Sequence, residues 1–187
     1  MSTHKAIRFL MLTIIIAMQI TFMGLAVKES YSVQGYVYSF VFLVISVLLL
    51  WAYKNFDLHL SDWEYEKPSI AIWVPIGAVA CYVLNVHAEL GSVISAGIIG
   101  TAASFLPSVN QKSSYLKKLP AAIYCGAFVG MTSGEIGLSL FAVLTAGCIA
   151  GIVFTLTKNL LVGLGGKLGS VAFLGVLSVC IICWLVS

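Results

Sequence analysis

Charge is what this sequence has least of: Asp, Glu, Lys and Arg make up 9% of 187 residues, against 60% hydrophobic residues. Ordinary soluble domains carry about 25% charged residues, so a water-soluble enzyme is excluded. Prolines number only four, which leaves long stretches free to be helical. Histidines stand at 4, 59 and 87 without an H-E-x-x-H, and the C-x-x-C of Cys180 and Cys183 lies at the end of an apolar run, so no zinc site is expected. A G-x-S-x-G elbow is also missing. The glycine-rich Gly163–Gly169 stretch has Leu168 after Lys167, where a phosphate loop needs Ser or Thr. With no nucleophile, base or metal constellation legible, the chain is read as a non-enzyme without cofactors. The net charge of +3 is spread over short loops and gives no support for nucleic-acid binding.

What is present is a series of long uncharged runs, each near the roughly 20 residues a helix needs to cross a hydrocarbon core of about 30 Å. The expected fold is all-α, a polytopic transmembrane helical bundle of about seven helices. The runs are 9–27, 35–53, 68–86, 91–106, 120–131, 138–157 and 171–186. The first is longer than the apolar core of a signal peptide and reads as a retained span. The fifth is short, and six helices result if 120–137 re-enters the membrane without crossing it. The segment 54–67 is polar, with Asp57, His59, Asp62, Glu64 and Glu66 beside Trp63 and Tyr65, and reads as an interfacial loop. Cysteines at 81, 125, 148, 180 and 183 fall inside apolar runs and read as structural thiols.

Basic residues orient such a chain. With a cytoplasmic N terminus and seven crossings, only Lys28 of the ten Lys and Arg residues falls outside. The expected location is therefore the plasma (inner) membrane, N-in and C-out, with the lipid bilayer as the first partner.

An internal repeat is visible in order as well as composition. Lys67-Pro-Ser-Ile-Ala-Ile-Trp73 resembles Lys118-Leu-Pro-Ala-Ala-Ile-Tyr124, Glu89-Leu-Gly91 resembles Glu135-Ile-Gly137, and Val93–Ile99 resembles Val143–Ile149. Residues 67–107 and 118–157 thus read as two-helix units within one membrane domain spanning 1–187. An even number of crossings per unit makes the two parallel.

Both glutamates then fall at the same end of the molecule. Glu135 sits among Thr132 and Ser133, and Glu89 beside His87, so hydroxyls, an imidazole and two carboxylates meet where spans are interrupted. An ionisable group there attracts a cation or exchanges a proton, and His87 could shuttle protons. These five residues form the expected substrate or ion site. A transporter or channel for a small solute or cation follows, with a polar mouth flanked by paired glutamates. The alternative is a non-transporting membrane subunit or scaffold. Its basis is the lack of any extramembrane domain and the small-residue spacing of Gly97 with Gly100, Gly126 with Gly130 and Gly147 with Gly151. The bulkier first two helices read as an outer wall or a contact with a homo-oligomer or membrane-protein partner.

Overall fold

The computed structural model describes residues 65–132, 139–158 and 166–186, with scattered positions between 10 and 51. The chain divides into two compact units, Met1–Trp63 with Asn159–Leu164, and Glu64–Lys158 with Gly165–Ser187. In the first unit every described residue between 10 and 51 is α-helical. Thr21 donates its hydroxyl hydrogen back to the Ala17 carbonyl at 2.9 Å, which satisfies that polar group within the helix. Phe40, Leu43, Leu48 and Trp51 are exposed there.

The described residues of the second unit form five helical rods. The first, α1 (Pro68–His87), starts at Pro68, where a missing N–H costs nothing, with Lys67 as its N-cap. Pro75 removes the hydrogen bond that the Ala71 carbonyl would accept, and the helix steps at Ile72 for that reason. Its last turn, Val83–His87, is a π-helix. After a tight turn comes α2 (Ser92–Val109), in which Ser95 is buried and donates to the Gly91 carbonyl at 2.7 Å. A step at Phe105 precedes Pro107 in α2. Next are α3 (Leu119–Gly130) and α4 (Leu140–Leu156), whose N-cap Ser139 accepts from the Ala142 N–H at 3.2 Å. The last is α5 (Lys167–Val186).

Three of these rods, α1, α2 and Lys167–Leu185 of α5, are long and apolar enough to cross a membrane. At about 1.5 Å per residue, the 12 residues of α3 reach only about 18 Å, well short of a hydrocarbon core. The sequence expectation of a short fifth span is therefore met. Its seven crossings are matched only as a mostly helical chain with three membrane-length helices among the described residues.

The core is built from small side chains. Val74, Ala78, Ala122, Cys125, Val129, Val143, Ala146 and Ala150 are fully buried, and α1 lies against α3 over most of its length. Gly126 backs onto the Val74 carbonyl, Gly130 onto the Ala78 carbonyl and Gly77 onto the Ile123 carbonyl. Such close backbone approach is the means by which helices associate where water gives no hydrophobic drive. Of the six glycines at small-residue spacing, Gly97 alone meets nothing within 4 Å, whereas Gly100 lies under the Tyr124 ring and Gly147 against Pro75.

The packing is reciprocal. Gly77 meets Ile123 and Gly126 meets Val74, and both Gly77 to Gly126 and Val74 to Ile123 are steps of 49 positions. In the same way α2 packs mainly on α3 rather than on its neighbour α1, and α4 mainly on α1 rather than α3. Self-complementary exchange of this kind is what a two-fold relation produces. The two central helices run parallel: Lys118 meets Glu66 at their starts, and Met131 meets Asn85 at their ends.

Candidate functional site

Two polar clusters stand at opposite ends of the α1–α3 pair. At the turn end, the α1–α2 connection leaves regular geometry repeatedly. The π-turn shifts Asn85 inward, where it is buried and donates its side-chain amide to the Met131 carbonyl at 3.3 Å. This bond joins the turn of the first unit to the end of α3. Thr132, half-buried, donates to the Val129 carbonyl at 2.7 Å and so closes the last turn of α3. His87 is exposed, with its ring edge-on to Tyr82 at 5.8 Å between centroids.

Glu89 follows with φ of +52°, the one described non-glycine residue in the left-handed region, and Gly91 has φ of +82°. A left-handed conformation costs an ordinary L-residue roughly 1–2 kcal/mol and is normally given to Gly or Asn. The carboxylate is exposed. Of the five residues expected to form the site, the structure thus places His87, Glu89 and Thr132 at one end of the pair, on either side of the Asn85–Met131 bond. Ser133 and Glu135 lie outside the described residues. Asn85 ties the two halves together at this end, and its only signal in the sequence is an amide near the end of an apolar run.

At the other end, Glu66 is buried, 8% exposed, just before α1 begins. Its Oε1 accepts from Lys118 Nζ at 3.1 Å and from the Lys67 backbone N–H at 3.4 Å, and its Oε2 lies 3.8 Å from Lys158 Nζ. The Glu66 N–H donates to the Thr155 carbonyl at 3.4 Å. Lys167 donates to the Lys158 carbonyl at 2.7 Å, which fastens the start of α5 to the end of α4. One carboxylate therefore joins the starts of α1 and α3 to the end of α4. The sequence reading left Glu66 in an interfacial loop, because nothing in its local pattern separates it from Glu64. Only the return of Lys118 and Lys158 to the same place distinguishes it.

Between the clusters the seam is closed by glycine, alanine and cysteine, with Cys81 and Ala127 packed together and fully buried. Among the described residues no group of three His, Cys, Asp or Glu side chains stands close enough to hold a metal. No protein family, curated protein or solved structure matches this chain.

Proposed function

We propose that this protein is a membrane transporter or channel for a small solute or cation, with a polar mouth at the turn end of two parallel, duplicated helical hairpins. The observation that carries the reading is the α1–α2 turn, where an ionisable residue, Glu89, holds a left-handed backbone directly after a π-turn. Strained or π-helical backbone gathers at functional sites, since it persists only where the surroundings over-determine it. Reciprocal packing of the hairpins supports the duplication, in which Glu135-Ile-Gly137 of the sequence corresponds to Glu89-Leu-Gly91. Carboxylates at such a mouth attract cations and lower their entry barrier.

The test is flux through proteoliposomes loaded with a panel of monovalent and divalent cations and a pH dye. Wild type should conduct at least one of them, and Glu89→Gln and Glu135→Gln should each reduce the flux. Full flux in both variants removes the glutamates from the mechanism.

A second reading, a non-transporting subunit, draws support from the α1–α3 seam, which glycine contacts close along its length. It gains the preference if wild type conducts none of the panel.

A further inference from the structure

Two grooves on the outside of the helical bundle have the same volume, about 460 Å³ each, and are built from corresponding positions. One lies between α2 and α3, the other between α1 and α4. From the second helix of each unit, Gly97, Gly100 and Ser104 line the first groove where Cys148, Gly151 and Thr155 line the second, 51 positions on in every case. From the first helix of each unit, Pro120, Ala121 and Tyr124 line the first groove where Ala71, Ile72 and Pro75 line the second, 49 positions back in every case. The duplication therefore produced two copies of one cleft, a correspondence that single helices brought together by chance would not show.

Each cleft runs from the middle of its helices toward the end where α1 and α3 begin. At that end the chain carries lysines next to the lining: exposed Lys67, the N-cap of α1, directly precedes Pro68 of the second groove, and exposed Lys117 stands three residues before Pro120 of the first. The walls are largely apolar; of the hydroxyls they carry, Ser104 donates to the Thr101 carbonyl and Thr155 to the Gly151 carbonyl, while Thr101 and Tyr124 line the first groove as well. A narrow apolar cleft along a helix pair, open to the side and crowned by positive charge, has the chemistry of an acyl chain below an anionic headgroup.

We propose that the two grooves are paired binding sites for an anionic phospholipid, one acyl chain lying in each cleft and the headgroup phosphate at Lys67 or Lys117. The occupant is set by charge complementarity at the lysine end together with the apolar walls. The inference does not depend on the transport reading.

The full chain, reconstituted in vesicles of equal phosphatidylglycerol and phosphatidylcholine, is re-extracted in mild detergent and its retained lipid counted by headgroup. Wild type should keep phosphatidylglycerol in excess, by about fivefold per lysine contact. Ala121→Trp and Cys148→Trp, each filling one groove, should each remove about half of the retained lipid, and the double variant nearly all. Lys67→Gln with Lys117→Gln alters only exposed side chains and should abolish the headgroup preference with the grooves intact, so the test stands even if a tryptophan variant fails to fold. Equal retention of the two lipids by wild type, or retention unchanged by the lysine pair, overturns the proposal. So does the splitting of a dimer by the tryptophan variants, because a second copy of the chain would then be the occupant.

Discussion

Gly126 of α3 lies against the main-chain carbonyl of Val74 in α1, so closely that a Cβ there would collide with the carbonyl oxygen and with the Ala78 nitrogen. The obstacle is backbone, which cannot rotate away as a flexible side chain can. The separation of the two central helices is therefore set by this glycine and its counterpart Gly77.

Gly126→Ala should lower stability by at least about 1–3 kcal/mol, the usual cost of overpacking a well-filled core. Gly97→Ala is the control, because nothing lies within 4 Å of a Cβ built there. Alanine at that position should be neutral or stabilising by up to about 1 kcal/mol through helix propensity alone. Denaturation midpoints in detergent, compared across the two variants, check this; equal effects would mean that the α1–α3 contact is looser than described.

Glu66→Gln should destabilise by about 1–3 kcal/mol, because it leaves buried groups with weaker partners. The effect stays below that of a fully enclosed pair, since the Lys118 side chain is 39% exposed and partly screened by solvent. Combining Glu66→Lys with Lys118→Glu should recover part of what Glu66→Lys alone loses. A double-mutant cycle on the same unfolding assay measures the coupling, and a coupling near zero would argue against the 3.1 Å pair.

Asn85→Leu should cost about 1 kcal/mol, the worth of one hydrogen bond, and more if the Met131 carbonyl is left dry. Hydrogen exchange at the last turn of α3 is the sharper measurement. Faster exchange of the Val129 to Met131 amides is expected, with the start of α3 unchanged.

Glu89→Gly should stabilise the protein by up to about 1 kcal/mol, because glycine adopts the φ of +52° without steric cost. The same variant should lose flux to the extent that Glu89→Gln does, if the carboxylate serves the mouth. A thermal melt beside the flux assay separates the two effects: more stability with less flux is the expected pair of results.

The helical class, and where the described helices between 68 and 186 begin, were legible in the sequence by itself. Long uncharged runs admit only structures whose backbone groups pair internally, and Pro68, Pro120 and the 87–91 break mark where those runs begin and turn. A likeness between residues 67–107 and 118–157 is legible there too, since a Lys-Pro-type start, a Glu-x-Gly segment and a small-residue run recur in one order. Tertiary structure decided the rest. Apolar helices of similar composition carry almost no register information, so for the α1–α3 pair it is the contact of Gly77 with Ile123 and of Gly126 with Val74 that sets an offset of 49 positions. Glu66, one of four acidic residues between 57 and 66, acquires its role solely from the lysines that distant chain segments bring to it. Asn85 is a single polar residue in an apolar run until a π-turn aims it at Met131. A carboxylate or an amide signals its chemistry locally, but its partner is chosen by packing, and packing here is settled by which backbones can touch.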